Sequence, residues 1–285
     1  MLCAEGIKGF PAELVCQTIG IARRSYYNRK RISQTAWEKK REEERKTVRE
    51  AFEESRREYG RMRLQKLLAN KGTQMSQWKI GELMREEKLI PKKCKKYKET
   101  TNSKHPYKVA ENLLKRKFTA EKPNEKWCGD STYIRTDEGW LYVAGIIDLC
   151  DKTCVGLTFS ERHTQELMTG ALEDAVRLWR PAAGLLFHSD RGVQYASNGY
   201  KRKLEQYQMI QSMSRSGNPY DNAAMESFWS TVKLGCVEGM RFRTRKQAKQ
   251  AIYEYVFGFY NTHRIHTSIG LVAPIVYRKS LMYAA

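Results

Sequence analysis

The sequence predicts an α/β fold, a mixed sheet with helices on both faces, preceded by an all-α segment rich in cations. Three observations point there. Residues 128–160 hold three successive strand patterns, helix and strand patterns then alternate to residue 260, and the residues before 92 show helical spacing alone. At 285 residues the chain suits about two domains. We divide it into a helical segment 1–91, a basic linker 92–126 and an α/β body 127–285 that ends in helices.

The first segment opens with two short helical patterns, AELVCQTIG and IARRSYYNRKR, which meet at Gly20. Leu14, Val15, Ile19 and Ile21 are available for a shared core. The second pattern carries Arg23, Arg24 and Arg29, as a recognition helix in a helix-turn-helix does. A charged helix follows from Trp37 to Glu58 and stops before Gly60. Two more, Arg61–Asn70 and Gln77–Lys88, are separated by Lys71 and Gly72 and closed by Pro91. Leu64, Leu67, Leu68, Ile80, Leu83 and Met84 recur at helical spacing and form their core. From 92 to 126 apolar periodicity fails and Lys dominates, which reads as a partly extended linker ending at Pro123.

The character changes at Trp127. Residues 128–136 alternate as a strand, Asp137, Glu138 and Gly139 make a turn, and WLYVAGIIDLC continues as a more buried strand. CVGLTFS (154–160) is the third. Thr164 caps a helix through Trp179, ended by Pro181. LLFHSD is a short buried strand, followed by a helix over Asn198–Tyr207 and a strand at MIQSMS. After the turn-rich SRSGNPYDN, helices are expected over Asn222–Gly235 and Lys246–Tyr260.

Charge narrows the function. Lys and Arg number 52 against 32 Asp and Glu, a net +20 with a pI near 9.6. Residues 1–126 carry +16 of this and residues 127–285 only +4, the densest run being KKCKKYK at 92–98, followed by spaced cations from Lys104 to Lys126. A basic arm on a nearly neutral body fits a polyanionic partner such as nucleic acid. No apolar run reaches the ~18 residues of a membrane span, and MLCAEGIKGF lacks the apolar stretch of a secretory signal. Seven scattered Cys fit reduced cytosolic thiols. Cys150 and Cys154 have no second Cys or His pair beside them, so no zinc site is expected.

Three acids stand in well-punctuated segments: Asp130 in WCGDSTY, Asp190 in FHSDRGVQY and Glu226 in SGNPYDNAAMES. Asp is depleted inside strands, so Asp130 is a poor choice for structure alone. Asp190 ends a strand, where active residues of open sheets commonly sit. Glu226 starts a helix, with Lys233 seven residues on and so on the same face. Brought together, three carboxylates can hold two divalent cations about 3.5–4 Å apart for an in-line phosphoryl displacement. His188, two residues before Asp190, is read either as a contact to Asp190 or substrate or as a histidine satisfied by backbone. Asp148, Asp151, Asp221 and Glu173 are demoted, with Asp148 as the substitute ligand.

W-x-x-D-x-T-Y at 127–133, H-S-D-R-G-x-Q-Y at 188–195 and G-N-P-Y-D-N-A-x-x-E at 217–226 resemble the integrase-like Asp-Asp-Glu core. The resemblance is to transposases encoded by the second reading frame of a two-frame bacterial insertion-sequence family. Y-N-x-x-R-x-H at 260–266 with Pro274, S-R-R-E-Y-G-R-M-R-L (55–64) and L-M-R-E-E-K-L (83–89) extend it over nearly the whole chain. It implies a ribonuclease-H-like core built on a mixed five-stranded sheet, in which Asp130, Asp190 and Glu226 bind two Mg²⁺ or Mn²⁺ ions. It implies cleavage at terminal inverted repeats and joining of the freed 3′-hydroxyl to another phosphodiester, without ATP or a covalent protein–DNA intermediate. DNA contacts are expected from Lys233, His188, Arg191, Asn222, Arg264 and His266, and from Arg23 and Arg24. The expected partners are double-stranded DNA, further copies of the chain and an upstream-frame protein; the expected location is the bacterial cytoplasm, at the nucleoid. No sustained heptad is present, and Ile269 stands where that family usually has Leu. Two other readings are a DNA-binding regulator without turnover and a ribonuclease-H-type nuclease acting on hybrids.

Overall fold

The computed structural model describes residues 11–26, 36–92, 106–215 and 219–283. Arg29, most of the 92–98 basic run, Lys104 and the turn at 216–218 lie outside the described residues.

Five strands form one mixed sheet in the order β3-β2-β1-β4-β5. They are β1 (Lys126–Thr136), β2 (Gly139–Asp148), β3 (Cys154–Ser160), β4 (Leu186–Ser189) and β5 (Ile210–Met213). The first three run antiparallel as a meander, while β4 is parallel to both β1 and β5. Alternation along the strands sorts side chains between two cores. Trp127, Ala144, Ile146 and Val155 face α5 (Gln165–Trp179) and α7 (Asn198–Gln206). Cys128, Val143, Ile147 and Cys154 face α8 (Ala223–Cys236) and α9 (Arg245–Tyr253). Both faces are thus covered, as nearly continuous apolar strands require. Gly156 lets strand and helix backbones meet: a Cβ there would overlap the Ala171 carbonyl oxygen of α5.

The N-terminal helices are α1 (Ala12–Ile19), α2 (Ala36–Glu54), α3 (Arg61–Asn70) and α4 (Gln77–Glu86). Leu64, Leu68, Ile80, Leu83 and Met84 are buried together with Val48 and Phe52 of α2, as their spacing foretold. Arg41, Arg45 and Arg49 of α2 pair with Glu82, Glu86 and Glu87, so these cations are spent within the domain. A shared core for residues 12–31 is corrected: Leu14 and Ile19 are 49% and 44% exposed, and of the four residues named only Val15 is buried.

The described half of the expected linker is built into the body. Leu114 is buried, the Leu113 and Leu114 N–H groups donate to Ser212 Oγ, and Met213 N–H donates to the Glu111 carbonyl. The stretch lacks periodicity because its apolar groups dock one at a time. Further elements had no clear sequence signal: the single turn α6 (Val193–Ala196), a π-helix at Glu254–Tyr260 that ends the helix expected to reach Tyr260, and α10 (Pro274–Tyr283). Asn261, just past the π-helix, holds both Cys154 N–H and Cys154 C=O through its side-chain amide. No described helix is long and apolar enough to cross a membrane.

Glu58 joins the two domains. Its carboxylate accepts from Tyr255 Oη at 2.9 and 3.0 Å and pairs with Arg264 Nε at 3.3 Å, all within the interior. Ile265 N–H donates to Tyr59 Oη at 2.6 Å, and Arg56 lies over the Tyr255 and Phe259 rings.

Candidate active site

Asp130 lies in mid-β1, the central strand, on the face covered by α8. Its register partner on β2 is Gly145. A Cβ at 145 would stand 2.9 Å from the Trp229 ring and 3.3 Å from that of Phe228. Glycine therefore lets α8 settle against this row, and α8 carries Glu226 in its first turn and Lys233 in its last. The parallel pairing of β1 with β4 ends at Gly129 with Ser189. The next residue on each strand is Asp130 and Asp190, so the register itself sets these two carboxylates side by side. Gly192 N–H donates to Asp190 Oδ1 at 2.9 Å and fixes the turn after β4.

The electrostatics record the gathering. Burial pushes the Asp130 carboxyl well above the usual carboxylate range; the charges of Asp190 and Glu226 push it further, and a backbone hydrogen bond and Lys233 oppose them. Lys233 Nζ also stands 5.8 Å from the Tyr133 ring centroid. Among the described residues, no three His, Cys, Asp or Glu side chains are drawn closely enough to clasp an ion. The three acids are neighbours in charge and are not a closed ligand shell.

Several expected DNA contacts are corrected by burial. His188 is fully enclosed: Nδ1 meets Ser212 Oγ at 2.8 Å, and Nε2 meets the Asp221 carbonyl at 3.0 Å and Ser214 Oγ at 3.2 Å. Burial lowers its pKa to about 4, so it is a neutral bolt between β4, β5 and the turn before α8. Asn222 is buried, its Oδ1 accepting from the Cys128 thiol. Arg264 is committed to Glu58. His266 is half-buried, bonded to Ser268 Oγ, and lowered to about 4 mainly by burial, so it carries no charge to offer a phosphate. Arg191 is partly exposed, with Nε donating to the Ser214 carbonyl. Arg24 is exposed, as is Arg23, which pairs with Glu13.

The demoted acids hold the frame. Asp148 accepts from Asn124 and Cys150 N–H and pairs, with Asp151, to the buried Arg278. Asp221 is buried between Arg116 and Arg215, which hold its carboxyl far below the usual range. It ties Pro219–Asn222, ahead of α8, to Asn112 and Arg116. Sequence reasoning missed this knot, since its arginines come from two separate segments. It missed His163 too, an exposed side chain in no motif, which bonds Ser131 Oγ at 2.8 Å.

An integrase core domain signature matches residues 120–219, a second integrase core signature residues 207–274, and an HTH-like domain residues 39–97. "Transposase InsF for insertion sequence IS3A" of Escherichia coli is 33% identical over 93% of both chains. The chain belongs to the insertion-sequence transposases. Other members include "Transposase for insertion sequence element IS904" of Lactococcus lactis, 38% identical over 81% of this chain and 92% of that one. "Insertion element IS600 uncharacterized 31 kDa protein" of Shigella sonnei is 41% identical over 93% and 97%. The HTLV-2 integrase catalytic core solved with magnesium is 14% identical, with a TM-score of 0.44 over 56% of this transposase and 99% of that chain. The HTH-like match in this transposase covers α2 to α4, downstream of the helix-turn-helix expected at 12–31.

Proposed function

We propose that Asp130, Asp190 and Glu226 are the catalytic residues of a DNA transposase that cleaves at the terminal inverted repeats of an insertion element. The same site then joins the freed 3′-hydroxyl to another phosphodiester. One observation supports this above the rest: on an integrase core, the charges of Asp190 and Glu226 act on a half-buried Asp130. Three hard-oxygen carboxylates close enough for their charges to act on Asp130 suit a hard divalent cation, so these residues would hold Mg²⁺ or Mn²⁺, two ions per site. When bound, the metal activates the attacking oxygen and stabilises the leaving one.

The chain's own groups do the positioning. The Gly192 N–H keeps Asp190 turned toward the site, and packing on Gly145 holds α8, with Glu226, over β1. Lys233, on the same helical face as Glu226, supplies positive charge for the phosphate of an entering strand. Arg191, Arg23 and Arg24 extend that contact along double-stranded DNA. Copies of the chain pair on two element ends in the bacterial cytoplasm; an upstream-frame partner rests on the family resemblance alone.

The test is strand transfer from a labelled duplex carrying the element's end, with Mg²⁺ or Mn²⁺, comparing wild type with Glu226→Gln. Joined product from wild type alone is the expected result. Tight binding with no cleavage from either protein would overturn the catalytic reading in favour of a DNA-binding regulator.

A further inference from the structure

Past Gly129, β1 has left β4, because that pairing spans Lys126–Gly129 only, and among the described residues its free side is next met by a single bridge from Phe242 at Thr136. It stays paired with β2 as far as Thr136 and Gly139. One face of this half-bare hairpin is sealed, with Ile134, Thr136 and Leu141 each 5% exposed or less. The opposite face is open: Tyr133 is 38% and Trp140 43% exposed.

The rings on the open face form a continuous row. Trp140 meets Tyr133 edge-on at 5.0 Å, Tyr133 meets Tyr142 at 6.4 Å, and Tyr142 stacks on His163 at 5.3 Å and 16°. His163 is held by Ser131 Oγ at 2.8 Å and by the Gln194 amide at 3.1 Å. Ser131 faces away from Asp130 across the strand, but Gln194 lies in α6 just past Asp190, and the Asp190 charge reaches His163, so the row ends beside Asp190. Cations lie over it: Lys233 at 5.8 Å from the Tyr133 centroid and Arg135 at 5.9 Å from that of Trp140.

Tyr133 and Tyr142 are direct cross-strand partners, and such pairs strengthen hairpins. Hairpin support needs neither exposed rings nor cations laid over them. Rings interleaved with positive charge suit a ligand that is anionic along its length and planar at intervals, which describes a nucleic acid strand. A paired duplex hides its base faces within its own stack. We propose that the row Trp140, Tyr133, Tyr142 and His163 is a stacking surface for unpaired nucleotides of the DNA strand that enters the carboxylate site. The choice of DNA rests on the transposase reading above; the demand for unpaired bases rests on the rings.

The experiment titrates the whole chain, in EDTA so that no cleavage contributes, with two end duplexes of one sequence. One is fully paired; the other has about three terminal base pairs mismatched and carries 2-aminopurine there. Stacking predicts about tenfold tighter binding of the mismatched duplex, with its fluorescence quenched on binding. Trp140→Leu and Tyr133→Leu should each remove most of that preference, while Tyr133→Phe keeps it, since stacking needs the ring and not the hydroxyl. Equal affinity of wild type for both duplexes would overturn the proposal. So would an undiminished preference in both Leu variants whose thermal melts match wild type. Strand transfer is scored separately: preference without joining fails the transposase reading alone, and joining without preference fails this surface alone.

Discussion

Arg264→Met separates a domain tie from a DNA contact. The Glu58 and Arg264 side chains are 1% and 7% exposed, 3.3 Å apart. Burial pushes the Glu58 carboxyl up, and Arg264 and the Tyr255 hydroxyl pull it back. Removing one partner of a buried pair costs about 3–5 kcal/mol, because the other charge is stranded. Tyr255 would still donate its one hydroxyl proton, shared between both Glu58 oxygens, so we take the lower end, about 3 kcal/mol near pH 7. Adding Glu58→Gln should return about 2 kcal/mol of this, since no charge then remains stranded. The sign with pH follows from the raised carboxyl. Without Arg264 it rises further, so the loss is full above the folded-state pKa and shrinks as pH falls toward the unfolded-state value. Urea unfolding of wild type, both single variants and the double variant at two pH values measures each quantity. A loss below about 1 kcal/mol, or strict additivity in the double variant, would refute the reasoning. A DNA-affinity salt slope reduced by about one in Arg264→Met would restore the phosphate contact expected from the sequence.

Asp130→Asn, Asp190→Asn and Glu226→Gln should each abolish cleavage and joining while DNA affinity, read by gel shift, persists. Asp130→Asn should also raise the melting temperature in EDTA at neutral pH, because an acid with a raised pKa destabilises the fold once ionised. His188, depressed to about 4, stabilises fully above its unfolded value near 6.5 and loses that contribution as pH falls toward 4. Relative to His188→Gln, wild type should therefore lose about 2 kcal/mol in urea unfolding between pH 7 and pH 5. Gly156→Ala should cost at least about 2 kcal/mol by the same assay, as β3 or α5 must shift. DNA affinity should fall steeply with salt, with a log–log slope of roughly −0.9 per phosphate contact, and a flat titration would exclude the basic arm as a grip.

The sheet was legible because its strands are short alternating or continuous apolar runs bounded by Gly, Pro and Asp. The fifteen-residue α5 was legible through Thr164 and Pro181. What stayed hidden depends on partners far along the chain. The last helix, α10, has two buried residues, Pro274 and Arg278, and Arg278 is tied to acids 127 and 130 positions away. At the site, the carboxylates stood out because acids in strands and at strand ends are unusual. Their motif neighbours were misjudged for one reason. A residue type that recurs beside a reactive group can serve by contact or by support, and local sequence does not separate the two. His188, Asn222 and Arg264 turn inward, whereas Tyr133 and Trp140, which looked like ordinary strand residues, turn outward.

The π-helix at 254–260 has a consequence for which length changes the family can accept there. An α-helix turns about 100° per residue, so deleting one residue, which would let the wide turn relax, rotates everything beyond it by that angle. Asn261 would leave the backbone of Cys154, and Arg264 would swing away from Glu58. Point substitutions on its solvent side leave both in place. The segment should thus vary in letters and hold its length, with the surplus residue acting as a phase-setter between the two domains.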